Sequence, residues 1–280
     1  MVNFKKLNEL YFIAEIGINH NGDIQIVKKL IDASNATLWN CVKFQKRNPD
    51  VCVPDHQKDV MRDTPWGRMT YLEYKHRVEF GREEYDYIDE YCREKPIDWT
   101  VSVWDNDSVN FISKYDVPFI KIPSAMLTND ELIEATVATN KQIILSTGMS
   151  TLSEIDHAVD VLGGSDFTLL HCNSTYPAAE EDLNLNNIKM MEDRYKVPIG
   201  YSGHEEDLEA CMVAVTLGAL IIERHITLNH NMWGTDQGSS LEVVAMDMLK
   251  KRCNNIQTML GQYDRVVSES EKEIRKKLRG

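Results

Sequence analysis

Two histidines, His204 and His225, close two apolar runs of this chain, spanning 198–204 and 220–227. The stretch between them, 205–218, has helical character, so the runs read as parallel neighbours joined by a crossover helix. Parallel neighbours put their C-terminal ends roughly 5 Å apart, which lets two imidazoles share one metal ion. Because residues i and i+2 of a strand share a face, Ser202 accompanies His204 and Glu223 accompanies His225. Lys43 and Gln45 share a face in the same way, and Lys121 sits inside another apolar run. A lysine there is costly unless its charge is paired, so two of them are informative. With the hydroxyls of Ser124, Ser146 and Ser202 they would form a pocket for a small, multiply charged anion such as a phosphate-bearing carboxylate. A divalent metal beside it would polarise a carbonyl, and the combination points to a synthase that forms a carbon–carbon bond.

These residues need a scaffold that gathers strand ends. The apolar runs number eight, at 11–18, 38–45, 99–104, 119–124, 142–148, 167–173, 198–204 and 220–227. Amphipathic segments with polar start signals fall between them, at 24–34, 108–115, 131–139, 151–162, 205–218 and 241–260. Asp23, Asp105, Asn129 and Ser150 are the residues expected to open four of these helices. The alternation predicts a single-domain (β/α)8 TIM barrel over residues 1–265, with a doubly wound open sheet as the alternative. In such a barrel the C-terminal strand ends carry the chemistry. The segment 46–80 is far longer than an ordinary βα loop and reads as a lid, binding loop or oligomer contact. Residues 266–280 read as a charged helical tail.

With 31 Lys and Arg against 44 Asp and Glu, the formal charge is −13, which argues against binding nucleic acid or an anionic membrane. No run approaches a membrane span, and the N-terminus shows no apolar signal segment, so the expected setting is the cytoplasm. The 6 cysteines form no CxxC pair and read as buried, reduced thiols.

The segments AEIGINHNG (14–22), VKFQ (42–45), IKIPS (120–124), LSTGM (145–149), LHC (170–172) with Tyr176-Pro177, YSGH (201–204) and ERH (223–225) resemble the sialic acid synthase family. That family includes N-acetylneuraminate, legionaminate and pseudaminate synthases, and the resemblance spans about residues 10–260. It implies condensation of phosphoenolpyruvate with an N-acetylated amino-sugar aldehyde to a nine-carbon 2-keto acid, with release of phosphate. It further implies that His204 and His225 hold a divalent ion, manganese with magnesium or cobalt as alternatives. Lys43, Lys121, Ser124, Ser146 and Ser202 would bind phosphoenolpyruvate, and Glu15, Gln45, Tyr176 and Asp236 would position the sugar. Asn173 and Ser174 are candidate substrate ligands, since family members often place an asparagine where Ser174 stands. Family members commonly carry an acid at the position of Met126, so Glu15, Glu223 or an activated water would have to assist the chemistry here. A homodimer is also implied. The family's C-terminal antifreeze-like domain has no counterpart before Gly280, which leads one to expect a more open pocket with sugar choice set by the 46–80 loop or a separate protein. Two other readings stand beside this one. A phosphorylated aldose acceptor would need a second basic site, for which the loop offers Arg68 and Arg77, and a non-catalytic sugar- or anion-binding barrel would lack divalent metal binding.

Overall fold

The structure, a computed structural model, describes residues 2–7, 9–261 and 265–280. Eight parallel strands close into a barrel: β1 (Tyr11–Gly17), β2 (Cys41–Lys46), β5 (Asp98–Val103), β6 (Ile120–Ile122), β7 (Ile143–Ser146), β8 (Phe167–Cys172), β9 (Ile199–Gly203) and β10 (Ile221–His225). β10 pairs with β1 and completes the ring, which excludes the open sheet. The remaining strands, β3 (Met61–Thr64) and β4 (Gly67–Thr70), form an antiparallel hairpin inside the long loop after β2.

Alternation along each strand sorts the core into an outer and an inner part. Phe12, Ala14, Ile16, Val42 and Phe44 belong to the outer cluster that the surrounding helices cover. Tyr11, Ile13, Cys41, Phe119, Ile144, Leu170 and Ile221 fill the barrel, with Phe4 from the N-terminal turn packed among them. The Phe4 ring lies 5.3 Å from Tyr11 and 5.6 Å from Phe119. Removing such a plug, as in Phe4→Ala, typically costs about 3–5 kcal/mol. Gly200 is required in this layer, because a Cβ there would stand 2.7 Å from the Ile221 Cβ.

Two positions further along the same strands the inward residues turn polar. Glu15 is in register with both Lys43 and His225, and Glu223 with Ser202. The apolar lower layers therefore support a charged upper layer at the strand C-terminal ends.

The helices arise where polar starts were expected, with adjustments. Asp23, Asp105 and Asn129 accept N-terminal amide hydrogens of the helices Ile24–Ala36, Asn106–Ile112 and Asp130–Val137. The helix Leu152–Leu162 is capped by Thr151, not Ser150, because Thr151 closes a capping box with Glu154. The crossover after β9 is helical only over Glu209–Thr216. Its first turn is lost because Arg224 binds the carbonyl oxygens of Glu205 and Asp207. Arg82–Glu94 and Asn187–Tyr195 supply two helices that the periodicity did not single out. Val243–Leu260 packs against Glu209–Thr216, and Glu269–Arg279 is a helix with no buried residue. Among the described residues, no helix is long and apolar enough to cross a membrane.

Candidate active site

The upper layer opens into a cavity of about 170 Å3 at the barrel mouth. Glu15, Lys43, Gln45, Lys121, Ser124, Ser146, Ser174, Tyr176, Ser202, His204, Glu223 and His225 line it, together with Ser102, Trp104, Met149 and Cys172. Seven of the eight strand ends thus bring together twelve of the fourteen residues singled out in the sequence.

Asn173 and Asp236 are not in its lining. The Asn173 side chain caps its own turn, accepting from the Thr175 backbone N–H at 2.9 Å and donating to the Asp182 carbonyl at 3.2 Å. Its backbone carbonyl, not its amide, serves the site, by receiving His204 Nδ1 at 2.5 Å. Asp236 lies in the loop after β10, where its charge is felt at His225 and Tyr176. His171, also at a strand end, instead bonds the Leu183 carbonyl at 2.7 Å in a neighbouring cavity.

The charged centre is a buried four-group network. Lys43 Nζ lies 2.6 Å from Glu15 Oε2 and 3.7 Å from Glu223 Oε1. Lys121 Nζ donates to both oxygens of Glu223, at 2.9 and 3.2 Å, and Ser202 adds a third bond at 3.0 Å. Burial favours the neutral form of every member, and the pairing decides which ones resist. Glu223 is raised by burial, but Lys121 and Lys43 overcome this and hold it down to about 2. Burial pulls Lys43 down, yet Glu15 and Glu223 leave it above the usual lysine value. Lys121 stays below its ordinary value, because burial outweighs Glu223 and Lys43 opposes its charge. For Glu15, burial together with the Glu223 charge outweighs Lys43, so its carboxyl is pushed upward. Glu15 is therefore the carboxyl in this centre most ready to hold a proton, with Gln45 donating to its other oxygen at 3.2 Å.

Two imidazoles stand beside this centre, their ring centroids 5.8 Å apart. Burial drives His204 and His225 each down to about 4, so both are neutral at pH 7. His204 donates Nδ1–H to the Asn173 carbonyl, which leaves the Nε2 lone pair facing the cavity side, where Tyr176 Oη meets it at 2.9 Å. His225 Nδ1 is buried with no hydrogen-bond partner. Among the described residues there is no cluster of three or more His, Cys, Asp and Glu arranged to hold a metal. Two neutral imidazoles side by side are donors that could serve a metal ion here.

On the opposite wall, Gly148 N–H donates to Ser124 Oγ at 3.0 Å. A Cβ on Gly148 would collide with Ser174 Oγ and stand 2.8 Å from Cys172 Sγ and 2.9 Å from Ser124 Oγ, so the glycine keeps this wall concave. Ser146 Oγ is buried without a partner and is available to a ligand. Met126, the position where an acid was sought, packs against the outer apolar core.

Sequence reasoning missed an ion pair just behind the histidines. Arg224 and Glu205, neighbours of His225 and His204 in the chain, meet at 2.8 Å, and Tyr201 Oη donates to Glu205 at 2.8 Å. Strand alternation puts them on the face opposite the imidazoles. The signal was there in the arginine inside the apolar run Ile-Ile-Glu-Arg-His.

The chain is 35% identical to the N-acetylneuraminate-9-phosphate synthase of Drosophila melanogaster, over 91% of this chain and 70% of that protein. It is 32% identical to the N,N'-diacetyllegionaminic acid synthase of Campylobacter jejuni subsp. jejuni serotype O:2, over 95% of this chain and 82% of that protein. The crystal structure of an N-acetylneuraminic acid (sialic acid) synthetase from Leptospira borgpetersenii serovar Hardjo-bovis superposes with a TM-score of 0.87 at 31% identity, covering 97% of this chain and 93% of that one. The model of the NeuB family matches residues 30–265. The chain belongs to the NeuB family, the sialic acid synthase family that its sequence resembles.

Proposed function

We propose that the chain is a synthase joining phosphoenolpyruvate to the aldehyde carbon of an N-acetylated amino sugar, giving a nine-carbon 2-keto acid and phosphate. The observation that carries this reading is the upper barrel layer, in which Lys43 and Lys121 are buried beside two neutral imidazoles and facing three serine hydroxyls. The activities of these relatives support the same reaction class.

Lys43 and Lys121 bind the carboxylate and phosphate of phosphoenolpyruvate, with hydroxyls from Ser124, Ser146 and Ser202. Glu223 stays anionic and keeps both ammonium groups charged and aimed inward. Tyr176, 48% exposed at the rim, orients the sugar beside His204. Carbon three of the enol bonds to the aldehyde carbon as the carbonyl π pair moves onto the aldehyde oxygen, which takes a proton from solvent to become a hydroxyl. Water bonds to carbon two, and the bond from carbon two to the phosphate oxygen breaks as the added hydroxyl becomes the keto group, its proton leaving with the phosphate. Glu15, held in place by Lys43 and Gln45, takes the proton of the attacking water, the role for which Met126 has no acid.

The orphaned His225 nitrogen and the oriented lone pair of His204 fit a divalent ion, manganese in this reading with magnesium or cobalt as alternatives. When bound, the ion supplies Lewis-acid polarisation of the aldehyde oxygen. The same reading includes a homodimer, for which the exposed Val244 and Met248 offer an apolar helix face, and a cytoplasmic setting, supported by six unpaired cysteines.

The test is phosphoenolpyruvate consumption with manganese in the presence of N-acetylmannosamine, its 6-phosphate, a diacetamido sugar or a pentose phosphate. Consumption that requires an N-acetylated sugar is expected, and Lys121→Ala should raise KM for phosphoenolpyruvate at least tenfold. Consumption with none of them would overturn the reading.

A further inference from the structure

The two histidines are not held alike. His225 belongs to the barrel ladder, in register with Glu15, and its carbonyl accepts the Leu241 N–H at 2.7 Å. His204 lies outside the ladder, because β9 ends at Gly203 and residues 204–208 are neither strand nor helix. An ion shared by two imidazoles bonds each nitrogen at about 2 Å, so this irregular segment needs anchors of its own. Two of them are direct: the ring Nδ1 donates to the Asn173 carbonyl, and the His204 carbonyl accepts the Ala178 N–H at 3.1 Å. The third comes from Arg224, on the other side of the sheet.

Arg224 is wholly buried, and its fork is spent on the segment that His204 begins. Nη1 donates to Glu205 Oε1 at 2.8 Å and to the Asp207 carbonyl at 2.9 Å, while Nη2 donates to the Glu205 carbonyl. The Glu205 carboxylate reaches Arg224 by folding back over Gly203, where a Cβ would stand 2.7 Å from both of its oxygens. Close approach, not a turn, is what requires glycine at that position. Tyr201 Oη donates to the same carboxylate at 2.8 Å and fixes it from the strand side. The backbone of Arg224 is in register with Gly203, and its chain neighbours are Glu223 and His225. One guanidinium therefore ties the end of β9 to the end of β10, and with them the two rings.

Stability alone does not call for this arrangement, since a buried ion pair adds little over apolar side chains of similar volume. Hydrogen-bonded supports behind a metal ligand, by contrast, typically change metal affinity by about 10–100-fold. We infer that Arg224 and Glu205 are positioning residues for metal binding, holding His204 Nε2 at the separation from His225 that one divalent ion requires. Neither side chain lines the active-site cavity, so both act through the main chain of residues 204–207. The inference rests on the metal assignment within the synthase reading above. It separates two functions by face: the inner face of β9 and β10 presents the donors, and the outer face sets the distance between them.

The experiment measures manganese affinity by calorimetry without substrate, and phosphoenolpyruvate affinity separately. It compares wild type, Arg224→Lys and the double variant Arg224→Met with Glu205→Leu. The double variant removes the fork without stranding a charge, so its denaturation midpoint should stay close to that of wild type. Its manganese binding should weaken at least tenfold, while phosphoenolpyruvate, held by lysines and serines on the inner face, should bind as in wild type. Arg224→Lys keeps the charge but cannot reach all three acceptors, and its manganese affinity should fall between the other two. Should the double variant fail to fold, Arg224→Lys decides on the same two affinities. Wild-type manganese affinity in a folded variant, or equal losses for manganese and phosphoenolpyruvate, would overturn the positioning role and leave the synthase standing. A wild-type protein that binds no manganese would overturn the metal assignment and this inference with it. One that binds manganese but consumes phosphoenolpyruvate with no N-acetylated sugar would overturn the synthase reading, while the metal affinities still decide the positioning role.

Discussion

Glu223 grips Lys121 through both carboxylate oxygens, at 2.9 and 3.2 Å, with neither side chain more than a few per cent exposed. A buried ion pair adds little net stability, but breaking one strands the surviving charge. Glu223→Gln removes the counter-charge of Lys121 and most of that of Lys43. The expected loss is about 3–5 kcal/mol in chemical denaturation at pH 7. A loss below about 1 kcal/mol would mean the lysines are neutral or water-solvated in the folded protein, contrary to the network described.

The imidazole pair predicts metal affinity separately from phosphoenolpyruvate affinity. His225→Ala removes one of two protein donors and should weaken manganese binding at least tenfold, read by calorimetry or by the paramagnetic signal of the free ion. Metal-dependent turnover should be lost, while phosphoenolpyruvate, held by the lysines and serines, should still bind. Unaltered manganese affinity in this variant would move the metal away from the histidines.

Gly148 offers a third test, because its missing side chain shapes the serine wall. The added methyl of Gly148→Ala would crowd Ser174, Cys172 and Ser124. It sits at the mouth, beyond the packed layers, so its effect should fall on ligand binding and spare the fold. Affinity for phosphoenolpyruvate should drop about tenfold or more, near 1.4 kcal/mol. Wild-type affinity would show that the anion does not lie against this wall.

Strand alternation made much of this site legible. Because the side-chain period is two, Lys43 with Gln45, Ser202 with His204, and Glu223 with His225 could be paired from spacing alone, and all six line the cavity. The limits are equally physical. Asn173 follows a strand end and looked available, but an Asx-type turn captured its side chain. The hairpin Met61–Thr64 and Gly67–Thr70 was hidden in a proline-rich loop, since its Trp66 packs 5.7 Å from Trp233, a partner far away in the chain. Arg47 was not singled out in the sequence, and only the fold shows it over the Trp104 ring with no carboxylate within 4.0 Å of its guanidinium among the described residues.

His20 yields a prediction about acid stability. It lies in the loop after β1, stacked on Phe80 with ring centroids 4.1 Å apart, and its Nδ1 accepts the Gly22 N–H at 3.0 Å. Burial pushes its folded-state value down to about 3, against an ordinary value near 6.5, despite a backbone hydrogen bond to Gly17 that opposes the shift. Between those two values the unfolded chain binds a proton that the folded protein refuses, so stability is greatest above pH 6.5 and falls as pH drops toward 3. The slope from this one group approaches 1.4 kcal/mol per pH unit, so about 2–3 kcal/mol should be lost between pH 6.5 and 4.5. His204 and His225 act in the same direction, so the measurement must be a difference. His20→Asn keeps an acceptor for Gly22 but cannot titrate, and its denaturation free energy should fall less steeply than wild type over that interval, by about the same amount. Parallel pH profiles for the two proteins would show that His20 takes up its proton in the folded state as readily as in the unfolded chain.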